Sequence, residues 1–487
     1  MKLLPRACLC AAATAALLAQ HPSDPTELLV KARDLIVARA KRLPDYTCVQ
    51  TAARQYFKHL QPLVPLPYCV QIATLNKDNP HDLALQATDR LRLDLKVSQG
   101  TEIGAWAGAS QFSSRSVFDL IGEGSYGTGT LGSFLADIFQ DGGATYTSRG
   151  QETAGVLQLT AHAYRVPLSS SHYLIEAGAG WAKAAFSGVF WVDSASAELR
   201  RLLVDANEIP PETGACEVAT TVEYKGVKVG AGEFLLPIRS SMRTVGMDTT
   251  ETRTTAVYSG CREYRGEASI RFDDAVPRAA AQAAIPAAPL APGVSLSLAL
   301  TSPINTDIAV AGDVVTAKLR KPVRVSKEVL IPAGATVEGR IVQMRHWLDP
   351  PPHFTISLLL ETLQVRGVAI PLYARLRPAE SANIALPPIG QSPLVAALLF
   401  NTDKSRYIVA AGYQSNWVTV EPPMEEKKFY TVCGYELSKM CARFVGRTKQ
   451  HLPALRLSCV KASERTLDVY FGPSILLTGS QTEVSCL

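Results

Sequence analysis

Apolar residues near the start of the folded chain recur at helical spacing, at Leu28, Ala32, Leu35, Ile36 and Leu43. Asp24-Pro25-Thr26-Glu27 precedes them: a capping carboxylate, a proline at the first helical position and an acid placed to reach back to the cap. Pro44 stops the run, so the pattern predicts one amphipathic helix from about residue 25 to 43. Its other side carries Lys31, Arg33, Arg39, Lys41 and Arg42, which suits either an anionic membrane surface or a helix that packs its leucines on the first domain.

From Asp45 to about Asp274 the period changes to two, with turn residues between short runs. FSGVFWV over 186–192, the turn Asp193-Ser194-Ala195-Ser196-Ala197-Glu198 and LRRLLVD over 199–205 predict a hairpin. TVEYKGVKVGAGEFLLPIRSSM and TRTTAVYSGCREYRGEASIRF predict at least three more strands. Such alternation implies an antiparallel sheet with one buried face. LGSFLADIF is the candidate internal helix.

Residues 276–293, rich in Ala and Pro, read as a semi-rigid linker. Beyond it, VSLSLALTSPI, VVTAKLRKPVRV, VLIPAGATVEGRIVQM, FTISLLLETLQV and VAIPLYARL are evenly spaced strands, as in a small barrel or sandwich over 294–424. Residues 425–487 hold Cys433, Cys441, Cys459 and Cys486, which suits either a small disulfide-stapled module or an irregular tail.

At 487 residues the chain exceeds one hydrophobic core, and 47% hydrophobic with 19% charged residues describes a folded protein. A net charge of +5 spread over this length gives no nucleic-acid footprint. The one basic cluster, Lys318, Arg320, Lys321, Arg324 and Lys327, reads as a solvated face. Lys2 and Arg6 followed by an apolar run from Ala7 to Ala19 resemble a cleavable export signal over 1–20; a lipid-bearing Cys8 is the alternative. No other window reaches the length of a membrane span, so the mature chain is expected to be soluble or peripheral, in the periplasm or cell envelope. Removing Cys8 and Cys10 leaves eight of ten cysteines, an even number where disulfides persist. The turn-rich stretch with Pro62, Pro65 and Pro67 predicts that YCVQIA returns against YTCVQT as a neighbouring strand and bridges Cys48 to Cys69. On the same reasoning Cys216 and Cys261 fall at opposite ends of a meander, too far apart to pair.

Gly122, Gly124 and Gly127 stand in G-x-G-x-x-G spacing, and Asp141 lies near the offset of a ribose-binding acid. The flanks are strands without a second βα unit and no Lys follows, so the glycines are expected to serve a turn and no cofactor is expected. His162 and His172 bracket Ser169, Ser170 and Ser171, which permits a Ser–His pair but fixes no third member. His346 and His353 flank a proline turn, and Cys433, Cys441, His451 and Cys459 lack finger spacing, so no metal is expected.

LPDYTCVQTAARQYF, GSYGTGTLGSFLADIF, GVFWVDSASAELRRL and VEYKGVKVGAGEFLLPIRS resemble a group of uncharacterised exported bacterial proteins over about 40–275. The strand, Asp-turn, strand hairpin is similar to that of LolA-like lipoprotein-carrier half-barrels, over about 45–275. That likeness implies a curved antiparallel sheet around an apolar ligand. VVTAKLRKPVRVSKEVLIPAGATVEGRIV resembles the β-barrel domain of type IV secretion core proteins, over about 294–424. Together the readings describe a mainly β protein: an N-terminal helix and half-barrel over 21–275, then a second small β-barrel or sandwich. The expected role is non-enzymatic binding of an apolar ligand, a lipid or lipoprotein, or of an envelope protein partner. The alternative is a secreted hydrolase.

Overall fold

The structure is a computed structural model and describes residues 24–98, 101–109, 112, 117–121, 126–127, 129–140, 142–177, 180–264, 289–325, 328–365, 367–377, 384–385, 392, 394–422, 440–447, 453–459 and 466–470. The export signal, residues 276–288 of the linker, Cys433, His451 and Cys486 lie outside them. Residues 1–421 form one unit and 422–487 another.

Helix α1 spans Pro25–Arg42, and the Asp24 carboxylate accepts from the Thr26 N–H at 2.9 Å as its cap. Leu28, Ala32 and Ile36, at i, i+4 and i+8, form its buried stripe. Its basic side is held to the protein: Arg33 Nε donates to the Phe139 carbonyl at 2.9 Å, and Arg39 meets Glu198 at 2.7 Å.

Long strands follow: β1 (Tyr46–His59), β2 (Leu83–Ser98), β3 (Thr101–Trp106), β4 (Thr145–Ala154), β5 (Leu157–Val166), the small hairpin β6 (Leu174–Ala177) and β7 (Gly180–Lys183), β8 (Ala185–Asp193), β9 (Leu199–Asn207), β10 (Ala215–Val229), β11 (Gly232–Gly246) and β12 (Glu251–Glu263). The pairings run antiparallel in the order β4–β5–β8–β9–β10–β11–β12–β1–β2–β3. No pairing joins β3 to β4 among the described residues, so this sheet is open. In β2, Asp89, Leu91, Leu93, Leu95 and Val97 alternate with half-buried neighbours, as one buried face demands. The Asp193 turn forms as expected, with Asp193 Oδ1 accepting from the Ala195 and Ser196 N–H groups.

Among the described residues three further α-helices lie between the strands: α2 (Cys69–Asp78), α3 (Val117–Ile121) and α4 (Ser133–Phe139). Helix α4 is the predicted one, whereas α2 corrects the reading of YCVQIA as a strand. Ile72 and Asn76 are its buried residues, four apart on one helical face, and β1 takes β2 and β12 as its neighbours instead. The expected Cys48–Cys69 bridge is corrected with it. Cys48 pairs with Cys261 across the β1–β12 bulge, Cα to Cα 4.1 Å, and Cys69 at the start of α2 pairs with Cys216 of β10 at 4.8 Å.

The second group comprises β13 (Ser295–Leu300), β14 (Ile304–Asn305), β15 (Val314–Leu319), β16 (Val323–Val325), β17 (Glu328–Ile331), β18 (Thr336–Trp347), β19 (His353–Val365), β20 (Val368–Pro371), β21 (Ala374–Leu376), β22 (Ile384–Ala385), β23 (Ala396–Asn401), β24 (Ile408–Val409) and β25 (Gln414–Thr419). Pairings lead from β20 through β19, β18, β15, β13 and β25 to β21, and only Leu372 and Tyr373 part β21 from β20. That ring surrounds a core holding Leu298, Ile356, Leu363 and Trp417. Lys318, Arg320, Lys321 and Arg324 of the basic cluster are exposed.

Strand β18 also pairs with β2, Arg345 opposite Asp89 and His346 opposite Thr88, so strands on both sides of the linker belong to one 19-stranded network. Ala311, Val342 and Val395 of the second group share a core with Tyr46, Ala52, Leu91 and Trp106 of the first. Where β18 meets β2, Arg54 grips Asp89 through two hydrogen bonds of 2.7 and 2.8 Å, and Arg345 reaches the same carboxylate at 3.4 Å. In the last unit β26 (Met440–Arg447), β27 (Pro453–Cys459) and β28 (Thr466–Tyr470) form an antiparallel three-stranded sheet that contains Cys441 and Cys459. No helix among the described residues is long and apolar enough to cross a membrane.

Candidate functional site

The buried face of the open sheet carries two hydrophobic clusters. Its strands contribute Tyr164, Phe186, Phe190, Leu202, Val222 and Tyr224 at one end. Tyr46, Ala52, Leu91, Leu93 and Tyr258 line the other. Two kinds of cover lie over it. Helix α1 and the predicted helix α4, through Phe134, Leu135, Ile138 and Phe139, close the first end. Val117 and Ile121 of α3, with Leu131, close the second.

The second end holds a polar cluster within the apolar face. Period two along β3 places Glu102 with Gly104 and Trp106 opposite Val97, Leu95 and Leu93, on the buried side. There the Glu102 carboxylate accepts from the Leu131 N–H at 3.1 Å. Tyr46 donates to the Leu131 carbonyl at 2.9 Å, and Tyr224 to the Thr130 carbonyl at 3.2 Å. Tyr258 gathers Gln50 at 3.0 Å, Thr130 at 2.8 Å and Ser240 at 3.2 Å, while Tyr126 donates to Gln50 at 2.7 Å. Burial pushes the Glu102 carboxyl up to about 7, against the lowering effect of backbone N–H groups from Leu131 and Gly129. Burial also raises Tyr46, Tyr126 and Tyr224, with neighbouring charge adding to it.

This arrangement shows where the glycine segment's backbone donors go. The Leu131 N–H meets a carboxylate of the same chain. Gly129, at φ +91°, supplies the left-handed turn that starts the cover. Gly127 lies against Met242 so closely that an added Cβ would sit 2.9 Å from its Sδ. Gly122, Gly124 and Asp141 lie outside the described residues.

Of the candidate hydrolytic residues, Ser171 turns to the backbone and His172 to an aspartate. Ser171 is buried and donates to the Ala184 carbonyl at 2.6 Å. His172 meets buried Asp137 through its backbone N–H and its ring Nδ1, each at 2.7 Å. His162 is buried and stacks on Phe190 at 5.3 Å, and burial lowers its pKa. His346 stacks on Phe354 at 4.1 Å and His353 on Trp347 at 5.9 Å, which uses both rings in aromatic packing across one hairpin. No group of three His, Cys, Asp or Glu side chains suited to a metal occurs among the described residues.

A concavity of about 460 Å³ lies over the β2–β18 junction. Ala53, Gln55, Thr88, Arg90 and Thr255 line it, with Asp307 and Ser405. Sequence reasoning missed Glu102 and its tyrosines. The signal available was the period-two spacing of Glu102, Gly104 and Trp106, which puts a carboxylate in line with core residues if the segment is a strand.

No protein-family model matches the chain, and no curated protein matches it at the significance required. Among solved structures, it is similar to a LolA superfamily protein from Nitrosomonas europaea at 12% identity and a TM-score of 0.23, covering 51% of this chain and 98% of that one. It is similar to a domain from Vibrio parahaemolyticus classed as an outer membrane lipoprotein-sorting protein, at 10% identity and a TM-score of 0.24, covering 50% and 96%. It is also similar to a DUF1329 family protein from Desulfovibrio piger, at 11% identity and a TM-score of 0.23, covering 52% and 98%. A LolA-like neighbour is thus found, as the hairpin resemblance led one to expect.

Proposed function

We propose that this protein is a non-enzymatic binding protein of the cell envelope that takes an apolar ligand, a lipid or acylated molecule, on the inner face of its open sheet. One observation carries the reading: part of the cover over that face comes from the stretch between β3 and β4, as helices of only 5 and 7 residues. Helices this short have little stability of their own and depend on the surface beneath them. A broad apolar face under a short-helix cover suits exchange of cover for ligand better than a second packed sheet would. The buried Ser171 hydroxyl is bonded to the Ala184 carbonyl, which counts against that serine as the nucleophile of the hydrolase alternative. Mass spectrometry of an organic extract of the protein purified from its own envelope should recover a co-purifying lipid. The emptied protein should then take up an environment-sensitive apolar dye that the lipid displaces. An extract without lipid, together with no dye uptake, would refute the reading.

A further inference from the structure

Between β1 and α2 the chain exposes an apolar surface that the inner-face reading leaves unused. Leu60, Val64, Leu66, Tyr68 and Val70 are 62%, 86%, 63%, 84% and 79% exposed. From His59 to Asn76 there is no Asp, Glu, Lys or Arg. Single exposed hydrophobics are ordinary, but a contiguous uncharged group of them marks an interaction surface.

The loop is also held in place. Pro62, Pro65 and Pro67 restrict its backbone. The Cys69–Cys216 bridge fixes its far end to β10, and the Leu60 N–H donates to the Asp82 carbonyl at 2.9 Å. Beneath it, His59 meets Asn76 at 2.7 Å and Asn76 donates to buried Glu251 at 3.2 Å. A loop so anchored presents its side chains to a partner with little further ordering to lose.

We infer that this loop docks the protein on a lipid surface. Four aliphatic side chains and one tyrosine without charge suit the boundary between acyl chains and headgroups, where tyrosine places its ring inward and its hydroxyl at the water. A protein interface of similar size is instead enriched in arginine and several aromatic rings, which the loop lacks. Exposed Lys58 and Lys77 border the uncharged stretch and complement anionic headgroups, with Asp78 and Asp82 following in sequence. The inference does not rest on the inner-face ligand, since a protein with no ligand would still present this loop.

The test is co-sedimentation of the full chain with vesicles of phosphatidylethanolamine and phosphatidylglycerol. Val64→Asp with Leu66→Asp should lower the partition coefficient at least tenfold. Val156→Asp, at a position 99% exposed on the β4–β5 turn, should leave it unchanged. Lys58→Glu with Lys77→Glu should weaken binding several-fold on these anionic vesicles and not on phosphatidylcholine. Independently of the aspartate variants, Val64→Trp should show a blue shift of the added emission when vesicles are mixed in. Failure of the wild-type chain to sediment, an equal loss for Val156→Asp, or no shift for Val64→Trp would each overturn the inference. Lipid extraction and dye uptake read the inner face, so either proposal can fail while the other stands.

Discussion

Glu102→Gln isolates the charge buried under the glycine turn. Glutamine keeps an oxygen to accept from the Leu131 N–H and never ionises. In the folded protein the Glu102 carboxyl titrates near 7, against 4.5 when unperturbed. Between those pH values the unfolded chain has released a proton that the folded chain keeps. The stability this group contributes is therefore complete below pH 4.5 and is lost as pH rises through 7. A rise of that size corresponds to about 3 kcal/mol, and we reduce it to ~2 kcal/mol because Glu102 retains some solvent contact at the level of the whole residue. The assay is urea unfolding of both proteins at steps from pH 4.5 to 8. Other groups titrate alike in the two chains and cancel in the difference. The variant should gain on the wild type by ~2 kcal/mol across this window, most of it by pH 7. A difference that stays flat, or that falls as pH rises, would refute the assignment of a buried, strained carboxylate.

Asp89→Ala removes the carboxylate that Arg54 and Arg345 share, and should destabilise the protein by ~3–5 kcal/mol in urea unfolding; a loss under 1 kcal/mol would count against a tight β2–β18 junction. Peptide mapping without reductant should recover Cys48–Cys261 and Cys69–Cys216. Serine at both Cys69 and Cys216 should cost ~5 kcal/mol on the chain-entropy account of a loop this long. Proteolysis between 275 and 293 should leave two fragments that elute together from a sizing column, because β2 pairs with β18 and a core joins them; separate elution would show that junction to be weak.

Much of the architecture was legible because each signal was local. The Asp24 cap, the apolar stripe of α1 and the stop at Pro44 need only the residues within a few turns. The Asp193 hairpin and the alternation in β10 to β12 likewise state their own period. The segment after the prolines misled because CVQIATLN supports two periods: Val70, Ile72 and Thr74 alternate, while Ile72 and Asn76 share a helical face. Packing on β10 and β11 decided for the helix, and packing is not written in the segment itself. The disulfides followed from that choice, since pairing Cys48 with Cys261 requires knowing that β12 lies beside β1 across more than two hundred residues. The polar cluster was hidden for the same reason. Glu102, Thr130, Tyr224 and Tyr258 come from four places in the chain, and only the sheet order brings them together.

The two ends of the inner face differ in how hard they are to uncover, and that difference predicts where a ligand enters. Over the Tyr258 end, beside Ala311, Val342 and Val395 of the second group, the stretch between β3 and β4 buries Val117, Ile121 and Leu131, and this part of the cover is worth ~6 kcal/mol at roughly 2 kcal/mol per side chain. A few hydrogen bonds to Leu131 and Thr130 add about 1 kcal/mol each. Over the Phe190 end, Leu28, Ile36, Phe134, Leu135, Ile138 and Phe139 lie buried, and the same rate gives ~12 kcal/mol. A saturated chain of about fourteen carbons gains ~11 kcal/mol on full burial. It can therefore replace the first cover and not readily the second, where Arg33 and Arg39 also tie α1 to the domain. Hydrogen exchange on the lipid-emptied and lipid-loaded protein reads this directly. Amides of α3 and of residues 129–131 should change protection on loading while those of α1 and α4 hold theirs. A change centred on α1 and α4 would place entry at the wrong end and would remove the polar cluster from any part in binding.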